Sequence, residues 1–257
     1  MASRLMHLAA CYGLEKQLGI KNKQRFRIGQ ILPDAVLHAD KQKVNTHFIT
    51  HYAENGKKYK WFDQDAFYDK FKNEITGDEL FLGYYFHLIQ DNIFRQVIYN
   101  KLGLIKRRGD PGLFGELYRD YNILNKRIIK KYRLDSDLQI PQDFSDIKIN
   151  ELYRFDLEEY IELIKTDFTA DYDGEPKHFT ESVLEGFVND SVRLCAAEYG
   201  AILKNEHALR RQDLSIEDVL PGRGSSPDGV IPPPAALLCS RQEVESSPEG
   251  RGCFRGG

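Results

Sequence analysis

The chain has 257 residues, 41% hydrophobic and 12% aromatic, enough to bury a substantial core. Its formal charge of −3 leaves no basic excess and argues against a broad nucleic-acid-binding surface. No apolar run reaches the roughly 18 to 20 residues of a membrane span. The first residues carry no secretory pattern and the four cysteines form no CxxC pair, so a reducing, cytoplasmic setting is expected.

In chain order, residues 3 to 18 place His7, Ala10, Cys11, Leu14 and Leu18 at helical spacing and end near Gly19. The run Gly29-Gln30-Ile31-Leu32-Pro33-Asp34-Ala35 then breaks the pattern. Proline disfavours helix at the residue before it and lacks a donor, which puts Asp34 on a turn or at a helix start. Residues 45 to 53 fit a short helix or strand and lead into the Asn55-Gly56 turn signal. Lys57-Lys58-Tyr59-Lys60-Trp61 reads as a solvated loop with one packed tryptophan. A helix at 63 to 76 precedes a longer one at about 78 to 101, with Gly77-Asp78 as the cap and turn between them.

After a glycine-rich connection at 108 to 115, residues 116 to 133 carry Leu117, Tyr121, Leu124, Ile128 and Tyr132 on one stripe, with Lys126, Arg127, Lys130 and Lys131 on the wet face. Two further helices are expected near 155 to 168 and 180 to 205, the second opening at a Thr180 N-cap. No alternating strand series emerges, so the expected class is all-α: a multi-helix domain around a long buried central helix. From Pro221 to Gly257 the chain is rich in Pro, Gly, Ser and Arg and has no lysine or tyrosine. Such a composition cannot bury enough apolar area to offset chain entropy. The expected organisation is a helical domain at 1–212 and a disordered tail at 213–257, whose abrupt change of composition reads as an appended segment.

The chemistry concentrates on the central helix. Leu80, Tyr84, His87, Asp91, Phe94 and Ile98 follow alternating steps of four and three, and the remaining faces are apolar too. His87 and Asp91 therefore leave the same face of a buried helix. Burying an unpaired carboxylate costs several kcal/mol or more, so such a position calls for a proton, a cation or a metal. The pair reads as half of a metal site, with a buried His–Asp hydrogen bond as the alternative. Further candidates in chain order are His7, Asp34, and His47 or His51; His38, His178 and His207 read as ordinary histidines. Imidazole and carboxylate are ligands that zinc and related divalent ions accept. Two such ions sharing a carboxylate can hold a water and lower its pKa toward neutrality, giving a nucleophile for phosphoester hydrolysis.

The order His, Gly-x-x-x-Pro-Asp, Thr-His-Phe and His-x-x-x-Asp, carried by His7, Gly29 to Asp34, Thr46-His47-Phe48 and His87 to Asp91, resembles the zinc-dependent phospholipase C family. That all-α fold is shared with fungal single-strand-specific nucleases; the likeness covers about residues 3 to 130 and is strongest to intracellular bacterial hydrolases of the family. The resemblance implies one zinc held by Asp34, His47, His87 and Asp91, with Asp91 bridging to a second held by His7. It implies a general-base role for Asp34 and selects His47 over His51. The chain departs from the family at Val97, where a histidine is usual, and in lacking both the amino-terminal tryptophan of the secreted members and a later His-x-x-x-Glu. Glu116 and Asp120 have the one-turn separation of that missing pair and are the remaining candidates for a third metal. The expectation is one or two zinc ions and hydrolysis of a small-molecule or lipid phosphoester by an activated water. A nuclease or phosphodiesterase of the same fold, and a non-catalytic member holding one structural metal or none, are the alternatives. Tyrosines around the central helix are expected to pack the core and donate to metal-bound carboxylates.

Overall fold

The computed structural model describes residues 2–36 and 44–217; His38 and the compositionally distinct stretch beyond 217 lie outside them. Helix α1 (Arg4–Leu18) starts where the Ser3 side chain accepts the Met6 amide and stops at Gly19 in the left-handed conformation. Asn22 caps α2 (Lys23–Ile31) by accepting the Arg25 amide. This nine-residue helix is too short to stand out by periodicity and runs directly into the break at Pro33. The break itself is a tight 3-10 turn, Leu32–Asp34.

Strands β1 (Ile49–Glu54) and β2 (Lys57–Phe62) form an antiparallel hairpin. Asn55 and Gly56 both have positive φ, 50° and 74°, as a two-residue hairpin turn requires. The loop expected at Lys57 to Trp61 is therefore a strand. Only its far end meets the core, where Trp61 and Phe62 are buried, so the alternation that marks a half-buried strand is weak.

Asp63 caps α3 (Gln64–Gly77) and Asp78 caps α4 (Glu79–Arg95), which continues into a wider π-helical turn, Gln96–Lys101. Helix α5 (Pro111–Tyr132) begins before the expected residue 116 because Asp110 accepts the Gly112 amide and Pro111 sits at the first helical position. Helix α6 spans Leu157–Thr169, and α7 (Glu181–Ile202) opens at Thr180 as expected. A short α8 (Arg211–Leu214) leads to β3 (Ile216–Glu217), which pairs with β2. Leu214 and Ile216 are buried, so the packed structure runs past the expected boundary at 212 to at least residue 217.

The described residues are mostly helical with one small three-stranded sheet. Helix α4 is the axis of the core: every residue from Leu80 to Arg95 is buried, among α1, α2, α3 and α7. Helices α2 and α4 approach each other most closely at two glycines. A Cβ on Gly29 would lie 2.0 Å from the Leu80 carbonyl oxygen, and one on Gly83 would lie 2.4 Å from that of Phe26. That close approach brings the main chain of α2 against His87. No helix among the described residues is long and apolar enough to cross a membrane.

Candidate metal centre

Five predicted residues converge at the middle of α4. His87 and Asp91 come from α4 itself, His7 from the first turns of α1, Asp34 from the tight turn after α2, and His47 from the segment leading into the hairpin. All five are buried; Asp34 at 5% exposure and His47 at 7% mark the accessible side. His47 Nε2 lies 3.2 Å from His87 Nε2, 3.5 Å from Asp34 Oδ1 and 3.6 Å from Asp91 Oδ2. His87 Nε2 lies 3.5 Å from Asp91 Oδ2. The other oxygen of Asp91, Oδ1, is 3.4 Å from His7 Nε2 and accepts the Ala2 amide at 3.0 Å. Asp91 thus turns one oxygen to His47 and His87 and the other to His7. Two overlapping ligand groups result, His47–His87–Asp91 and His7–Asp34–His87.

The outer faces of the imidazoles fix their inner ones. His87 Nδ1 is 2.7 Å from the Gln30 carbonyl oxygen, which can only accept, so Nδ1 carries the proton. The Thr46 hydroxyl gives its hydrogen to the Pro33 carbonyl at 2.8 Å, which leaves its lone pair for His47 Nδ1 at 3.3 Å. His7 Nδ1 donates to Gln90 Oε1 at 2.8 Å. All three rings are anchored through Nδ1 and present Nε2 inward, the arrangement in which outer hydrogen bonds select the ligating tautomer.

Two Nε2 lone pairs facing each other repel unless something positive stands between them. His7 Nε2 and Asp91 Oδ2 are buried without a hydrogen-bond partner. A charge-assisted hydrogen bond to a carboxylate is about 2.7 to 2.9 Å long, whereas the contacts here are 3.4 to 3.6 Å. Ligands about 2.1 Å from a shared tetrahedral ion stand about 3.4 Å apart. The donor set and its spacing therefore fit a divalent cation.

The protonation behaviour agrees with a site built around positive charge. Burial penalises ionisation of Asp91, yet His7 and His87 hold its carboxyl well below the usual range. Burial also opposes a charged His87, but Asp91 and Asp34 raise its pKa. His7 is pushed the other way, by burial and by the neighbouring His87 charge, its ring stacking on that of His87 at 4.0 Å. A metal ion at this position would compete with a proton for the imidazole lone pairs.

Other predicted residues fall elsewhere. His51 is exposed on β1 and joins neither ligand group. Glu116 and Asp120 join neither ligand group. Asp120 accepts the backbone amides of Lys177, His178 and Phe179 at 2.7 to 2.8 Å. Glu116 accepts from Arg107, Lys177 and His178. Both carboxylates are occupied in holding the loop before α7 onto α5, so they are not placed as metal ligands. The tyrosines of α4 also differ from expectation: Tyr84 donates to the Thr46 carbonyl and Tyr85 to Glu198, neither to a carboxylate of the cluster. The anchoring roles of Gln90, Thr46 and the Gln30 carbonyl are not legible in the sequence, although Gln90 stands out as a polar residue beside Asp91 in an apolar run and Thr46 belongs to the Thr-His-Phe motif. Two open grooves, one lined by Ala9, Gly13 and Val188 and one by Leu138, Ile140 and Ile161, include none of the five residues.

The fold and site define a helical protein with a buried His/Asp group suited to a metal ion. Compared with known proteins, the chain matches no family model, no curated protein and no solved structure.

Proposed function

We propose that the protein is a metal-dependent hydrolase whose centre holds one or two zinc ions. The observation that carries the reading is the convergence of three Nε2 atoms and two carboxylates at the separations of atoms sharing an ion, with every Nδ1 anchored outward. Asp34, His47, His87 and Asp91 would hold the first ion; His7 with Asp91 Oδ1 would hold the second. Zinc bound there would supply Lewis acidity and a water acidified toward neutrality.

The chain's own residues supply the rest. Asp91, kept ionised by its imidazole neighbours, neutralises charge on both sides of the centre. Asp34, on the accessible side, would take a proton at its carboxylate from an attacking water. Thr46, Gln90 and the Gln30 carbonyl keep the imidazoles in one tautomer. The sequence resemblance to zinc-dependent phospholipases C narrows the reaction from hydrolysis in general to a phosphoester. Elemental analysis of purified protein tests the centre: one or two zinc ions per chain, lost in His87→Ala, support it, whereas full occupancy in His87→Ala or no bound metal in the parent overturns it. Release of phosphate or alcohol from a panel of phosphomonoesters and phosphodiesters, with and without zinc, tests the reaction. Absence of turnover from zinc-loaded protein on every substrate would favour a structural metal.

A further inference from the structure

His7, His87 and Asp91 sit on α-helices and Asp34 on the tight turn that closes α2, whereas His47 alone stands in the irregular segment that leads into the hairpin. The residue after it, Phe48, has a φ of 50°, in the left-handed region that a bulky side chain rarely adopts. Such a conformation persists only where the surroundings over-determine it. Helix α4 supplies those surroundings.

The Tyr84 hydroxyl donates to the Thr46 carbonyl, directly before His47. Two turns further along, the Asn92 carboxamide accepts the Phe62 amide at 2.9 Å and donates to the Phe62 carbonyl at 2.7 Å. Phe62 faces Ile49 across the hairpin, yet both of its main-chain groups go to this one side chain, which stands where the peptide unit of another strand would. Arg95 Nη1 adds a bond to the Lys60 carbonyl at 3.0 Å. Tyr84, His87, Asp91, Asn92 and Arg95 lie along one side of α4, so the helix that carries two candidate ligands also fastens the segment that brings a third.

The fastening reaches His47 through Phe62. Its ring lies against the His47 imidazole, with centroids 5.7 Å apart and planes tilted by 55°, and the Arg95 guanidinium stands 5.1 Å from the Phe62 centroid. The Asp63 amide donates to the Phe48 carbonyl at 2.9 Å, tying the two segments together at the base of the hairpin. Asn92 is fully buried, so its two bonds to Phe62 are made away from competing water.

We propose that Asn92 is a positioning residue for His47. By fastening Phe62 at two points it sets the ring against which the imidazole packs, and so keeps His47 Nε2 at 3.2 Å from His87 Nε2 and 3.6 Å from Asp91 Oδ2. The proposal rests on the metal reading above and adds that the hairpin completes the centre: without this latch the first ion keeps Asp34, His87 and Asp91 and loses His47.

Zinc affinity of the full chain, by competition with a chelator, and the visible spectrum of the cobalt-substituted protein read the two consequences. Asn92→Ala is expected to weaken zinc binding about 10- to 100-fold and to move the cobalt bands toward those of His47→Ala. The double-mutant cycle with His47→Ala is decisive: because Asn92 acts through His47, Asn92→Ala should weaken binding no further in that background. An equal loss in both backgrounds, or parent-like affinity and cobalt bands in Asn92→Ala, overturns the role of Asn92 and leaves the metal centre standing. If Asn92→Ala fails to fold, Phe62→Leu, which keeps an apolar side chain and removes the ring, enters the same cycle with the same two outcomes. A parent protein that binds no zinc overturns the metal centre and this proposal with it.

Discussion

In the middle of α4, Asp91 meets three imidazoles at 3.4 to 3.6 Å and keeps Oδ2 without a hydrogen bond. On α7, Glu198 is as deeply buried, but accepts from His207 Nδ1 at 2.7 Å and from the Tyr85 hydroxyl and the amides of Ala208 and Leu209, each at 2.8 Å. Asp120 on α5 resembles Glu198, with three backbone amides on its two oxygens. The three carboxylates share burial, and two have a histidine against them. They differ in what surrounds the oxygens. Glu198 and Asp120 are compensated by donors of the protein and fasten loops to helices, whereas Asp91 faces lone pairs and calls for a charge from outside. A buried carboxylate next to a histidine is therefore not a metal signature by itself; the direction of the imidazole proton decides.

Substitutions can break this comparison. On the proposed zinc centre the largest effect is expected for Asp91→Asn, which should weaken zinc affinity by about a hundredfold or more, since it would remove a charged ligand where outer-sphere changes typically cost about 10- to 100-fold; competition with a chromogenic chelator measures it. Retained affinity would place Asp91 with Glu198 as a structural carboxylate. Asp120→Ala should do the reverse, costing about 3 kcal/mol in urea unfolding by orphaning three amides while leaving zinc content intact. Gln90→Leu sharpens the comparison from the outside. It frees the His7 tautomer and should lower affinity for a second zinc about tenfold without changing the first, which a two-site titration resolves.

The smallest effect concerns the surroundings of Glu198. Burial raises the carboxyl pKa of Asp65 to about 6, against the pull of His207. The folded state then binds the proton more tightly than the unfolded chain does. Stability conferred by that proton is lost as the pH rises from about 4 through about 6. Asp65→Asn should therefore stabilise the protein at pH 7 by on the order of 1 kcal/mol, allowing for solvent screening, with the gain vanishing below about pH 4. Melting temperatures across that range check it, and zinc content should not change.

Much of this centre was legible because its residues carry local signals. The four-residue step from His87 to Asp91 within an apolar run shows in the chain itself, as does the break at Pro33-Asp34. The hairpin was half legible: Asn55-Gly56 marked the turn, but β2 meets the core only at Trp61 and Phe62 and shows little alternation. Glu116 and Asp120 misled because a one-turn spacing says which face two side chains share and nothing about the donors they meet there. Apart from Arg107, those donors lie about 60 residues further along, in the loop at 177 to 179.

By itself the sequence determined the helical class, the central helix and the His87–Asp91 pair, since periodicity and turn chemistry act within a few residues of each position; His7, Asp34 and His47 were joined to that pair by the resemblance in motif order. Tertiary structure decided what those side chains can do. Gly29 and Gly83 let α2 close on α4 so that a backbone carbonyl reaches His87, and Pro33 and Thr46 orient His47 across 13 residues of separation. Gln90 takes the proton side of a histidine 83 residues away. Whether an imidazole offers a lone pair or a proton depends on what touches its far nitrogen, and that contact exists only once distant segments pack together.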